Sequence, residues 1–147
     1  MKSIYWIGGL MGLGLLSSCD KLNVLGSLDA TIDGVAWESS TQLGRKEGDT
    51  LIIAGIKDGA TLSMAMPDQQ GTINMGDFSF QGFAPFVYIP DTSDVTNTYL
   101  GISGTITLSA RSQTRASGSF NVSAANVNPI TPDTMAISGE FSNILIP

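Results

Sequence analysis

The stretch "GTITLSAR", Gly104 to Arg111, decides the fold class. Successive side chains of an extended chain point to opposite faces. Ile106, Leu108 and Ala110 therefore fall on one side, and Thr105, Thr107 and Ser109 on the other. "GSFNVSA" (Gly118 to Ala124) repeats the pattern, with Phe120, Val122 and Ala124 against Ser119, Asn121 and Ser123. Two such strands, apolar on one face and rich in hydroxyls on the other, predict an antiparallel sheet with one dry and one wet face.

The same period of two extends outward. Downstream, a polar loop with Pro129 and Pro132 leads to "AISGEFSNILI" (Ala136 to Ile146). Upstream, "ATLSMAM" (Ala60 to Met66) lines up Ala60, Leu62, Met64 and Met66, and Lys57-Asp58-Gly59 joins it to the apolar run "TLIIAGI" (Thr50 to Ile56). "ATIDGVAW" (Ala30 to Trp37) centres on Asp33-Gly34, a pair suited to two-residue hairpin turns because both central positions need positive φ. Trp37 at its end is expected to plug the core. Loops fall at Pro67 to Gly71 and Pro90 to Asp94. Between them "TINM" leads to "FSFQGFAPFVYI" (Phe78 to Ile89), where Pro85 marks an edge or a bulge. No helical period competes beyond residue 27. The expectation is all-β: a single antiparallel β-sandwich or small meander barrel of about eight to ten strands over residues 28–147.

The N-terminus reads differently. Lys2 precedes a charge-free run from Ile4 to Leu16, too short for a membrane span of about 20 apolar residues but right for a signal-peptide h-region. Leu16-Ser17-Ser18-Cys19 closes it as a lipobox, an aliphatic residue and two small ones before the only cysteine of the chain. A thiolate is the nucleophile that takes up a diacylglyceryl group. Residues 1–18 are thus expected to be a lipoprotein signal peptide, Cys19 the site of lipidation with fatty acyl (palmitoyl) chains, and 19–27 a lipidated tether. The expected partner is a membrane, reached through the anchor, with the domain held within about 25 Å of it.

Composition narrows the function. The chain has no histidine, which removes Ser-His-Asp and Cys-His catalysis and the commonest zinc ligand. The net charge of −6, without a basic patch, argues against nucleic acid and against attraction to anionic headgroups. No cofactor and no metal site is expected. Carboxylate pairs are the remaining acid–base option: Asp29 with Asp33, Glu47 with Asp49, Asp91 with Asp94. Each sits where turn chemistry already accounts for an aspartate. "PDTSD" (Pro90 to Asp94) offers oxygens for calcium but lacks EF-hand spacing. Phe78, Phe80, Phe83, Phe86 and Tyr88 cluster in one short stretch. They form either a core layer or an exposed platform for a sugar, peptide or lipid tail.

"ATIDGVAW", "GTITLSARS", "ASGSFNVSAAN" and "ISGEFSNI" together resemble an uncharacterised family of small Bacteroidetes-type lipoproteins over residues 28–146. The resemblance implies an exported all-β lipoprotein of the cell envelope, in the outer membrane, and brings no catalytic residues with it. It also draws attention to Asp49-Thr50-Leu51 and Asp133-Thr134-Met135, which match the O-glycosylation signal of such bacteria at Thr50 and Thr134. Surface display in those bacteria goes with acidic residues after the acylated cysteine. Here Asp20 is followed by Lys21, Leu22 and Asn23, so the membrane face stays undecided. The leading expectation is a non-enzymatic binding or scaffolding β-domain with an unidentified sugar, peptide or protein partner. The alternatives are a carboxylate-based hydrolase and a subunit that joins an envelope complex by edge-strand pairing.

Overall fold

The computed structural model describes residues 26–75, 85–128, 130 and 133–147. Its strands are β1 (Ser27–Ile32), β2 (Val35–Glu38), β3 (Thr41–Glu47), β4 (Thr50–Lys57), β5 (Ala60–Pro67), β6 (Gly71–Asn74), β7 (Phe86–Ile89), β8 (Tyr99–Arg111), β9 (Arg115–Asn126) and β10 (Thr134–Leu145). All pair antiparallel in one sheet, ordered β2-β1-β10-β9-β8-β7-β5-β4-β3. β6 and β7 share one flank of β8: Gly71–Asn74 pair with Leu108–Thr105, and Val87 and Tyr88 with Leu100 and Tyr99.

The sheet curls until its ends meet. β2 and β3 stand at opposite ends of the strand order yet are separated by only Ser39 and Ser40. Ser39 N–H donates to Leu28 O of β1 at 3.0 Å, and Ser40 N–H to Ile56 O of β4 at 2.9 Å. β2 and β3 thus act as one kinked strand that joins the two ends of a curled, half-barrel sheet, nearer to the second of the two expected architectures than to the first.

Local chemistry sets the turns. Asp33-Gly34 and Asp58-Gly59 have φ of 51° and 88°, and 49° and 84°, the double positive φ of a type I′ hairpin. Two bulges reset the alternation of β8, one between Gly101 and Ser103 and one between Leu108 and Ala110. A bulge inserts one residue and reverses which side chains face inward. Ile106 and Leu108 are buried as expected, but Ala110 is exposed because the second bulge intervenes.

One apolar cluster fills the wall, with contributions from β1, β4, β5 and β7 to β10. Phe86, Phe141, Leu28, Leu62, Ile137 and Ile144 are among its fully buried side chains, each worth about 1.5–3 kcal/mol of transfer free energy. Among the described residues no polar or charged residue is buried. Trp37 packs against the cluster but stays partly exposed.

The barrel has two unlike ends. The β3–β4, β5–β6 and β8–β9 turns and the C-terminus share the proximal end, joined by Asp68 N–H to Asp49 O and Ile146 N–H to Thr114 O. The β1–β2 and β4–β5 turns, the 90–98 loop and the end of β9 share the distal end. There Thr92 N–H reaches Gly59 O, and Val127 N–H reaches Thr98 O.

Candidate functional site

With the interior filled by hydrocarbon, chemistry is confined to the outer wall and the two ends. The register divides the wall into halves. Across β8, β9, β10, β1 and β2 one row of cross-strand neighbours reads Thr107, Ser119, Glu140, Asp29, Glu38. Across β3, β4, β5, β7 and β8 the corresponding row reads Leu43, Ala54, Ser63, Val87, Leu100. One half is polar and the other predominantly apolar.

The polar half holds the closest approach to a carboxylate site. The sequence pairs Asp29 with Asp33, but the fold puts Asp29 directly opposite Glu140 on one side and Glu38 on the other. Like charges directly opposite on neighbouring strands are unfavourable. Asp29 and Glu140 line a shallow depression of about 270 Å³ with Ala30, Thr31 and Gly139. Asp29 and Glu38 line a second, of about 350 Å³, where Lys57 offsets their charge. All three carboxylates are solvent-exposed on the outer wall. Among the described residues no group of three His, Cys, Asp or Glu side chains converges to hold a metal ion.

At the proximal end a single carboxylate organises three turns. Asp68 accepts from Arg111 Nε at 2.6 Å and Nη2 at 3.3 Å, and Lys46 Nζ lies 3.2 Å away. Its side chain is only 11 % exposed. The Arg111 guanidinium, more than Lys46, holds the Asp68 carboxyl below its ordinary value against the opposing effect of burial. This two-pronged, charge-assisted pair ties β8 to the β5–β6 turn. A carboxylate with a lowered folded value contributes stability that is complete above its unfolded value of about 3.9 and is lost as pH falls through the folded value. Asp68→Asn is therefore expected to cost about 2 kcal/mol at pH 7, within the range for hydrogen bonds to charged groups. It should also flatten the loss of stability below about pH 4. Urea unfolding across pH checks both.

The other sequence-designated residues fall as follows. Phe86 is fully buried with its ring centroid 5.7 Å from that of Phe120, and Tyr88 is buried 6.3 Å from Tyr99. Burial, with a smaller effect from Tyr99, pushes the Tyr88 hydroxyl above its ordinary value. These two rings form a core layer and present no face to solvent, so the platform reading does not extend to them. Phe78, Phe80, Phe83 and Cys19 lie outside the described residues. Thr50 is half-buried where β4 begins, and Thr134 is exposed at the start of β10. Glu47 and Asp49 flank the β3–β4 turn, with Glu47 paired to Arg45 at 2.6 Å. Asp91 caps its own loop, accepting from Ser93 Oγ at 2.7 Å and Ser93 N–H at 2.9 Å, and these bonds lower its carboxyl. Asp94 accepts from Thr96. Asp91 and Asp94 are thus engaged in turn chemistry, as their sequence context implies.

Sequence reasoning missed the apolar half of the wall. Leu43, Gly44, Arg45, Ile52, Ala54 and Pro147 line a groove of about 380 Å³ beside the proximal end. A second depression of about 300 Å³ shares Arg45 and Ile52 and continues across Ala65 to Val87. Strand register brings these residues together, and a single-sequence pattern carries no register between distant strands.

These features define a class: a barrel-like, single-sheet β-domain with a hydrocarbon interior and an outer wall divided by polarity. Residues 26–145 match the family described as a domain of unknown function (DUF6252), and the chain belongs to that family. No curated protein matches the chain.

Proposed function

We propose that the chain is a lipid-anchored protein of the bacterial cell envelope whose β-domain binds or scaffolds a partner without catalysis. The observation that carries this reading is the position of Gly26. The described chain begins between the start of β3 and the last part of β10, a few residues after Cys19, with Gly26 O held by Gln42 Nε2 at 2.8 Å. With Cys19 acylated, the membrane lies within about 25 Å of this point of the wall. The solid apolar interior favours work at the surface over an enclosed reaction chamber.

Cys19→Ala is expected to abolish incorporation of a fatty-acid probe and to release the protein from the membrane fraction. Undiminished incorporation in that variant defeats the anchor. A pull-down of the tethered protein from its own envelope identifies the partner. A carboxylate hydrolase is the second reading, favoured by Asp29 and Glu140 facing one another across β1 and β10. It requires that Asp29→Asn with Glu140→Gln remove a measurable hydrolytic activity.

A further inference from the structure

We infer that the apolar wall of β3 and β4 is a membrane-contact surface, on which the tethered barrel lies against the lipid that holds its anchor. This rests on the reading of Cys19 as an acylated residue. The occupant follows from where the chain leaves the described fold. The tether enters at Gly26, and Gln42, which holds Gly26 O, is the residue before Leu43 at the groove. An anchor that reaches at most about 25 Å keeps this wall within reach of the bilayer.

The chemistry of the wall fits a lipid surface. Leu43 is 55 % exposed and Ile56 38 %, and with Ile52, Ala54 and Pro147 they form an apolar area that no other described residue covers. The nearby cations are matched: Arg45 pairs with Glu47, and Lys46 and Arg111 pair with Asp68. The contact is therefore carried by apolar area and not by headgroup charge. The distal end sets the orientation. Asp33, Asp58, Asp91, Asp94 and Asp133 stand in its turns and loops with Lys57 as the nearby cation. An anionic leaflet repels that end while the neutral wall approaches.

The test uses the full lipidated protein. Acylation consumes the thiol of Cys19, so a cysteine introduced elsewhere is the only free one in the mature chain. Leu43→Cys and Pro147→Cys, both at exposed positions, are labelled with an environment-sensitive dye in phosphatidylcholine vesicles. Val127→Cys at the distal end is the control. Both wall labels are expected to emit at shorter wavelength than the control and to be quenched more strongly by brominated lipid, with no change between low and high salt. Wall labels as water-exposed as the control, with Cys19 still taking up a fatty-acid probe, overturn the surface and leave the anchor standing. Absence of probe at Cys19 overturns both. Wall labels that are shielded in detergent alone, and more so at higher protein concentration, overturn the lipid occupant in favour of a second copy of the chain.

Discussion

Phe86→Ala is expected to lower the unfolding free energy by about 3–5 kcal/mol, the range for deleting a large aromatic from a core. Phe86 is fully buried, its ring stands 5.7 Å from that of Phe120, and its Cβ lies 2.8 Å from the position a side chain at Gly101 would take. Two terms add. The lost transfer free energy is joined by a cavity that β5, β8 and β9 cannot fill without breaking their ladders. The tilted contact with Phe120 contributes about 0.5–1.5 kcal/mol beyond area. Small domains unfold with about 5–15 kcal/mol in all, so this single change removes a large share. Urea unfolding should show the midpoint falling by about 1 M or more with the slope unchanged. Phe86→Leu should cost far less, since it keeps most of the volume. A neutral Phe86→Ala would return this residue to the surface platform considered from sequence, because truncating an exposed ring leaves no cavity.

The contrast between Phe86 and Leu43 shows what sequence reading reached. Alternation made β5, β9, much of β8 and the Asp33-Gly34 hairpin legible, because there the buried face carries large apolar residues. The architecture is all-β and antiparallel for that reason. β3 was not legible. Its inward positions are Gln42 and Gly44, and its outward positions are Leu43 and Arg45, so "TQLGRKE" runs against the rule that places apolar residues inside. The first half of β8 was hidden similarly, since the bulge at Gly101–Ser103 switches the inward positions from Tyr99 and Gly101 to Ile106 and Leu108. The candidate surfaces were less legible still. The opposition of Asp29 and Glu140, the Asp68–Arg111 pair and the Leu43 groove each join residues far apart in the chain. Their proximity is a property of sheet closure, which pairwise spacing does not encode.

Closure itself is tested at Gly44. A Cβ there would lie 2.4 Å from Ile146 Cδ1, 2.8 Å from Ile144 Cγ2 and 2.7 Å from the main-chain oxygen of Leu145. Side-chain tips can turn aside, but the carbonyl belongs to the end of β10 and moves only with its strand. β3 approaches this close because β1 stops at Ser27, leaving Gly44 to cover Ile144 and Ile146 directly. Gly44→Val is therefore expected to cost about 3 kcal/mol, the upper part of the overpacking range. The damage should begin at the seam. Amide exchange at Ser39 and Ser40, whose N–H groups bridge β1 and β4, should accelerate more than exchange along β8 and β9. A double-mutant cycle separates the two obstacles. Combined with Ile146→Ala, Gly44→Ala should cost about 1 kcal/mol less than the two single changes added, because the side-chain clash is gone. Some of its cost should persist, because the Leu145 oxygen remains. If Gly44→Val is neutral, or exchange rises equally in every strand, β3 does not close the wall and the β2–β3 junction is a loose crossing of two open edges.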